Sequence, residues 1–205
     1  MKHRVRRYFS ISSNFYSVCR HLAAIAIYLL FAPSIALEGS EYFLLGIGRG
    51  GPTDSVNVSG DVGKIFSINQ FANSFWAGIG VSYINSGEGA PKNARDYPIP
   101  HGNYRDRGVR TSDEWALWLR GGYEAFSIEN AGRFLVSGIG GFSSSDESHY
   151  VQSNVTGWNY RQSRDRKYFA LYGIGFSFLV RDGGVSLGVD FDNRRGTTLT
   201  IGSAW

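Results

Sequence analysis

The C-terminal residues 197–205 alternate larger and smaller side chains and end on an aromatic residue. Counting back from Trp205 in steps of two places Ser203, Ile201 and Leu199 on one face of an extended chain. A chain terminus usually frays unless a sheet holds it in place. A closed barrel, in contrast, needs its last strand to pair with its first. The pattern therefore predicts a final strand that closes a β-barrel.

The N-terminal segment has the layout of a secretory leader. Five basic residues precede an uncharged apolar run at residues 22–37, which contains a small-x-small cleavage site at residues 34–36. This run includes Pro33 and is shorter than the roughly 20 apolar residues that a membrane-spanning helix needs. We therefore expect a cleaved signal peptide at residues 1–36, rather than a helical anchor, and one mature domain at residues 37–205.

Removal of the leader changes the charge balance. Five of the 21 lysine and arginine residues lie in the leader and none of the 17 acidic residues does, so the net charge changes from +4 to −1. This near-neutral charge gives no support to nucleic-acid binding. The leader also carries the single cysteine, Cys19. The mature chain is therefore predicted to have no disulfide and no cysteine-bound metal.

Period-two patterning recurs along the mature chain, and no segment has a convincing helical period. One of the clearest cases is a segment where Val185, Leu187 and Val189 alternate with serine, glycine and aspartate. The first, second and fifth predicted strands leave their register open, because apolar residues occupy both faces of the first and fifth. Eight strands are predicted, at residues 41–50, 61–71, 74–86, 112–126, 133–145, 166–181, 184–193 and 196–205.

The predicted connections alternate in length. Short links follow the second, fourth and sixth strands, whereas residues 86–111 and 146–165 form long, charged stretches. Outer-membrane barrels have tight turns on the periplasmic side and long loops outside, so the alternation favours this architecture. The tight link at residues 193–196 is an exception, since it falls on the side that we predict to be external.

The polar faces of the strands distinguish two kinds of barrel. A secreted, lipocalin-like carrier would turn its apolar faces inward around a cavity, whereas a membrane barrel would turn them outward. The polar faces here carry both acids and bases, which can pair inside a narrow barrel. We therefore favour the membrane barrel and keep the carrier as an alternative. The predicted polar network of the lumen comprises Glu114, Arg120, Glu124, Asp190 and Asp192.

With these features, residues 38–205 resemble the small eight-stranded outer-membrane barrels of Gram-negative bacteria, such as the OmpA transmembrane domain, OmpX and the opacity proteins. The C-terminal pattern resembles the sorting signal read by the barrel assembly machinery, although such signals usually end in Phe with another aromatic residue two positions earlier. The resemblance implies an all-β, closed antiparallel up-and-down transmembrane barrel in the cell outer membrane, in contact with lipid and lipopolysaccharide. We expect no cofactor. The signal residues would be Leu199, Ile201, Ser203 and Trp205.

Two segments contain residue types found in enzyme sites. Residues 46–51 match G-x-G-x-x-G, but dinucleotide binding needs a helix directly afterwards and further strand follows here. Residues 146–149, followed by Ser153, contain the serine, histidine and acids of a hydrolase. The spacing from His149 does not reproduce the lipid A deacylase pattern. We expect no enzyme, with a lipid A acyl hydrolase or transferase as the alternative, and no metal site.

The two long stretches are basic and aromatic. Arginine binds phosphate through two hydrogen bonds, and aromatic residues suit a boundary between polar and apolar surroundings. We therefore expect a structural or surface-interaction role through lipopolysaccharide or host-surface contacts, although ordinary hydrated loops explain the composition equally well. Eight strands leave an interior that side chains fill, so any porin-like conduction should be slight. The candidate interaction residues are Arg105, Arg107, Arg110, Arg161 and Arg164.

Overall fold

Strands form wherever large apolar residues alternate with small or polar ones, and also in charged stretches that lack this pattern. The fold is that of a computed structural model. Within the residues that the structure describes, no helix is long and apolar enough to cross a membrane. The predicted signal peptide lies outside the described residues. These are residues 39–66, 74–85, 89–92, 94–96, 103–180 and 184–205.

The described residues contain ten strands. Their order along the chain is β1 (Gly39–Gly50), β2 (Ser55–Phe66), β3 (Phe75–Asn85), β4 (Ala94–Arg95), β5 (Tyr104–Thr111), β6 (Glu114–Ile128), β7 (Gly132–Ser153), β8 (Asn159–Val180), β9 (Val185–Asp192) and β10 (Gly196–Ala204).

Eight of these strands form a closed antiparallel ring. Their order around the ring is β1, β2, β3, β6, β7, β8, β9 and β10, and β10 pairs back with β1. At this seam the backbone N–H of Trp205 donates to the carbonyl of Glu41, and that of Glu41 donates to the carbonyl of Trp205, both at 2.9 Å. The predicted eight-stranded closed barrel is confirmed, and its last strand closes the ring.

Apolar side chains cover the outside of the ring, whereas its interior holds most of the polar side chains of the strands together with two groups of apolar ones. Leu199 and Ile201 are 64% and 57% exposed, whereas their neighbours Thr198 and Thr200 are buried. Trp115 on β6 likewise faces outward at 59% exposure. This orientation is opposite to that of a lipocalin-like carrier, which would turn its apolar face toward a cavity.

The second strand begins earlier than the sequence predicts. It spans Ser55–Phe66 rather than residues 61–71, and a four-residue turn at residues 51–54 joins it to β1. The predicted strands at residues 41–50 and 61–71 leave a ten-residue link between them, and this length was therefore wrong. The turn is tight because Gly51 and Asp54 both adopt positive φ angles, of 72° and 46°. The short link predicted after this strand, Ala72-Asn73, lies outside the described residues.

The two predicted long loops contain further strands of the same sheet. Pairing of β6 with β7 ends at Ser144, and pairing of β8 with β9 ends at Gly173, yet β7 and β8 continue as a hairpin beyond the ring. The strand β5 pairs with the outer part of β7. We call this extension, residues 104–111 and 145–172, the tongue, and its tip is the turn at residues 154–158. At roughly 3.3 Å per residue, its β8 portion extends about 45 Å along the strand.

Two clusters of buried apolar residues occupy the interior of the ring. The larger lies at the end opposite the tongue, and the smaller is built around Trp118. The inward-facing Gly80 leaves the space that the Trp118 ring occupies, since a Cβ atom there would overlap the indole. The interior is thus filled along its length, by apolar side chains as well as by polar ones. The larger cluster comprises Tyr42, Leu44, Ile65, Trp76, Leu135 and Leu179.

Candidate functional site

An ion-pair network crosses the interior of the barrel, with Arg120 at its centre. The Arg120 Nε atom lies 2.8 Å from Asp61 Oδ2, and its Nη2 atom lies 2.6 Å from Asp190 Oδ2. Tyr42 and Trp118 donate further hydrogen bonds to the Asp61 carboxylate, at 2.7 and 3.0 Å. The network therefore ties strands from opposite sides of the ring.

The short turn between β9 and β10 extends this network to the tongue end of the barrel. Arg195 is completely buried, and its guanidinium lies 3.9 Å from the centroid of the Trp118 ring. The Arg195 Nε atom donates to Asp192 Oδ2 at 2.5 Å. The neighbouring Arg194 pairs with Glu114 across the mouth, also at 2.5 Å. The turn is closed by the Asp192 carboxylate, which accepts from the backbone N–H groups of Arg194 and Arg195, and by Gly196, whose φ is 72°.

The predicted network residues fall into three places. Asp190 bonds Arg120 directly, and Asp192 joins the same group through Arg195. Glu114 lies at the mouth beside the tongue. Glu124 lies at the other end, 3.9 Å from the Nη1 atom of Arg133.

Sequence reasoning missed Asp61 and Arg195 as members of the interior network. Asp61 was the first residue of a predicted strand whose register stayed open. Continuing the alternation of Val56, Val58 and Val62 across Gly60 would have placed Asp61 on the inward face. Arg195 had no such signal, because a turn residue has no strand periodicity.

The tongue brings most of the predicted loop arginines to one surface, and acidic residues already engage two of them. Arg161 lies 2.5 Å from Asp96, and Arg164 bonds Asp146. The other three residues lie on β5, where Arg107 donates to the side-chain oxygen of Gln152. Arg110 donates to the Gly89 carbonyl at 3.3 Å, and Arg105 lies opposite Gln152 in the register.

Asp146 joins the two long strands of the tongue. It accepts hydrogen bonds from Arg166 at 3.0 Å and from Arg164, and its backbone N–H donates to the Ser112 hydroxyl at 2.9 Å. The hydrogen bonds from Arg166 and Arg164 hold the pKa of the Asp146 carboxyl below its usual value. The same contact raises the pKa of Arg166. Asp146 is therefore a structural carboxylate of the tongue.

Two adjoining cavities lie between the β5 side of the tongue and residues 89–92. The first, of about 270 Å³, is lined by both acidic and basic residues, including Asp146 and Arg164. The second, of about 370 Å³, is lined by Ala90, Pro91, Lys92, Arg107, Arg110 and Asn159. Ala90 and Arg110 line both cavities, so the two cavities are neighbours.

The predicted hydrolase residues have other partners in the tongue. His149 Nε2 lies 2.8 Å from Asp106 Oδ1 and links β7 to β5. The Gly108 N–H and then His149 hold the pKa of the Asp106 carboxyl below its usual value. The Ser153 hydroxyl accepts from the N–H groups of Val155 and Thr156 at the tip turn. In the described part of the chain, no group of three His, Cys, Asp or Glu residues could hold a metal ion.

Comparison with known proteins adds little to what the structure itself shows. No protein-family model matches the sequence, and no curated protein matches it. One solved structure that matches is that of Ail, the attachment invasion locus protein of Yersinia pestis, in complex with the heparin analogue sucrose octasulfate. The match has 12% sequence identity and a TM-score of 0.38, and it covers 82% of this chain and 95% of that one. A similarity of this size supports no conclusion about function.

Proposed function

We propose that this chain is an outer-membrane β-barrel that presents the tongue to molecules at the cell surface. One observation carries the proposal: the ring exposes apolar side chains all round, whereas the tongue beyond it is charged. On β8, for example, Ile174 is an exposed apolar residue of the ring, whereas Arg164, Arg166 and Lys167 are exposed charges of the tongue. An apolar band of this kind matches lipid, and the charged extension matches water.

The contacts within the tongue support a role in presentation. The strand β5 adds a third strand to the β7–β8 hairpin, and Asp146 cross-links that hairpin through two arginines. Near the tip, Arg95 stacks on the ring of Trp158, and Arg161 pairs with Asp96. A surface whose side chains are already held loses less entropy on binding. The tongue therefore offers a binding surface whose side chains are already held in place.

The filled interior supports an interaction or structural role over that of a wide pore. Trp118, Arg120 and Arg195 all extend into the ring and are almost completely buried. A ring of eight strands leaves only enough space for such side chains. The end opposite the tongue is occupied by the larger apolar cluster. Any ion path would have to displace both groups.

We place the tongue outside the cell, with both chain ends of the barrel on the periplasmic side. The β6–β7 turn at residues 129–131 is short and lies at the end opposite the tongue, as periplasmic turns do. The proposed partners of the outward surfaces are membrane lipid, lipopolysaccharide and, at the tongue, anionic or host-surface molecules. Export would use the proposed leader at residues 1–36.

Fractionation tests this proposal. The mature protein should be recovered in the outer-membrane fraction, should need detergent for extraction, and should begin at Leu37 on N-terminal sequencing. Replacing Arg105, Arg107 and Arg110 together by Ser should weaken lipopolysaccharide association, and salt should weaken the parent protein similarly because exposed charges are screened. Recovery of the mature protein from the aqueous fraction without detergent would reject the membrane barrel.

The lipid A enzyme is tested in the same vesicles. Since His149 bonds Asp106 and Ser153 bonds the tip turn, these contacts favour a structural role for both residues. The variant His149→Ala should leave the acyl composition of lipid A unchanged. A change in acyl composition that depends on His149 would favour the enzyme instead.

A further inference from the structure

The tip of the tongue carries apolar side chains where a turn ordinarily carries polar ones. Glycine, proline, asparagine, aspartate and serine dominate turn positions. In the tip turn, residues 154–158, the Val155 side chain is 85% exposed, and Trp158 is exposed as well. Tyr104 is exposed beside this turn, since it pairs with Ser153 in the register. Three exposed side chains with large apolar surfaces therefore share the outer end of the tongue.

Backbone hydrogen bonds hold these three side chains in one place. The N–H of Asn154 donates to the carbonyl of Asn103 at 3.1 Å, which joins the tip turn to the start of β5. The N–H of Ser153 donates to the carbonyl of Trp158 at 2.9 Å, and this bond closes the turn. The three side chains are therefore presented together, and we call them, Tyr104, Val155 and Trp158, the apex.

Arginine side chains adjoin the apex. Arg95 stacks on the Trp158 ring, and Arg105 is the second residue of β5. The acidic residues next to them in the chain, Asp96 and Asp106, already bond an arginine and a histidine of the tongue. The outer end of the tongue therefore combines exposed apolar surface with positive charge.

We propose that the apex inserts into the surface of an anionic lipid bilayer that faces the outer membrane. Tryptophan and tyrosine favour the headgroup level of a bilayer, where an amphipathic ring meets both water and acyl chains. Val155 enters the boundary of the acyl chains, and Arg95 and Arg105 contact lipid phosphates. The inference rests on the proposed function, because it makes lipid the surface molecule that the tongue meets.

A bilayer suits the apex better than a glycan or a folded protein does. An anionic glycan would bond the arginines, but it has no acyl region in which Val155 could be buried. A stable protein–protein contact buries about 800 Å² on each partner, which is far more than one turn offers. A fluid bilayer accepts a small convex apex without matching its shape, and its acyl boundary removes the apolar side chains from water.

Vesicle binding by the whole barrel tests insertion. The barrel is placed in nanodiscs of phosphatidylcholine and mixed with separate phosphatidylcholine vesicles that contain about one third phosphatidylserine. Flotation gives the partition coefficient. An environment-sensitive dye is attached to Val155→Cys or to Ser163→Cys, which is exposed on β8 away from the tip. On vesicle binding, the emission at position 155 should shift to the blue, and that at position 163 should stay unchanged.

Substitutions separate apolar insertion from attraction by charge. Val155→Ser should lower the partition coefficient at least about threefold, and Trp158→Ser at least about tenfold, since each removes an inserted side chain. Val109→Ser is the matched control, because it removes an exposed valine of β5 that lies further toward the ring, and it should change the coefficient less than about twofold. Arg105→Gln should weaken binding only when phosphatidylserine is present. Circular dichroism checks that each variant keeps its strands.

Three results would overturn the proposal. These are equal losses for Val155→Ser and Val109→Ser, no blue shift at position 155 in bound vesicles, and no vesicle binding by the barrel in nanodiscs. Binding of dextran sulfate without binding of vesicles would assign the tip to an anionic glycan instead. Each result can occur in a barrel that still fractionates with the outer membrane, so failure of insertion is distinguishable from failure of the barrel's proposed location.

Discussion

Arg120 on β6 and Asp190 on β9 form a two-pronged ion pair inside the barrel, with Nη1–Oδ1 at 2.9 Å and Nη2–Oδ2 at 2.6 Å. Both side chains are 1% exposed. The third nitrogen of the guanidinium, Nε, bonds Asp61 on β2. Arg120 thus bridges two buried carboxylates, and Arg195 supplies a second cation 3.4 Å from Asp190.

Removing Arg120 should strongly destabilise the barrel. Arg120→Ala leaves Asp61 buried without a cation and leaves Asp190 with Arg195 alone, at 3.4 Å. Breaking a buried pair in this way costs about 3–5 kcal/mol. Arg120→Lys keeps the charge but loses the two-pronged geometry, so its loss should be smaller. Urea unfolding of the barrel in lipid vesicles, followed by tryptophan fluorescence, measures both.

The exposed pair between Arg49 and Asp54 is the control for this prediction. Its side chains are 69% and 74% exposed, so Arg49→Ala should leave the unfolding free energy nearly unchanged. Equal losses for Arg49→Ala and Arg120→Ala would contradict the interior network.

A charged side chain on the outer face of β9 should destabilise the barrel. Val189 belongs to the outward apolar set of this strand, and arginine near the middle of a lipid-facing strand costs about 2–4 kcal/mol. Val189→Arg should therefore destabilise the barrel by this amount in vesicles, whereas Val189→Leu should be mild. The neighbouring Gly188 is no neutral comparison, because a Cβ atom there would lie 2.6 Å from the carbonyl oxygen of Phe176. If Val189→Arg and Val189→Leu were equally stable in vesicles, lipid contact at this face would be contradicted.

The ion pairs of Asp146 should weaken in acid. Its hydrogen bonds to Arg166 and Arg164 lower its folded-state pKa. They therefore stabilise the tongue fully at pH values above about 3.9, the ordinary aspartate pKa. That contribution is lost as the pH falls through the lowered value. The Nε–H resonances of both arginines, followed by NMR in micelles, should titrate with a midpoint below about 3.9. Asp146→Asn should abolish this titration, and a midpoint at or above the ordinary value would contradict the assignment.

The outward aromatic side chain at the C-terminus should matter for assembly more than for stability. We propose that Leu199, Ile201, Ser203 and Trp205 form the signal for the barrel assembly machinery. Trp205→Ser keeps the backbone bonds to Glu41 but removes the aromatic ring, and should lower the amount of protein in the outer membrane. Trp205→Phe keeps an aromatic ring and should leave that amount unchanged. Trp115→Ser, which removes an equally exposed ring from β6, is the matched control, and an equal decrease there would point to lipid contact instead of a signal.

The sequence predicted the ring better than the tongue, and the reason is the environment of each face. On β9 and β10 one face is apolar and exposed and the other is mostly polar and buried, so residues such as Leu187 and Ser186 alternate visibly. On the tongue both faces of β8 near Arg164 and Lys167 are exposed, so no alternation marks the strand. Backbone hydrogen bonds to neighbouring strands hold these segments extended, and no alternation of side chains marks them.

The interior site was only partly predictable. Arg120 and Asp190 stood on the polar faces of clearly alternating strands, which the sequence shows. Tyr42 and Leu44 face inward from a segment that is apolar on both sides, so only the pairing register reveals them. The cavity of Lys92 and Arg107 was beyond sequence reasoning, because it joins two segments through a fold that no local pattern specifies.

Site-directed labelling in intact cells tests the central claim most directly, because the proposed mature chain has no cysteine of its own. In a Cys19→Ser background, Val155→Cys places a thiol at the tip of the tongue, where the side chain is 85% exposed, and Glu129→Cys places one in the exposed turn at the opposite end. A membrane-impermeant maleimide should label Val155→Cys in intact cells and Glu129→Cys only after the outer membrane is disrupted. Labelling of Glu129→Cys but not Val155→Cys in intact cells, or of both equally, would contradict a barrel that spans the outer membrane with its tongue outside.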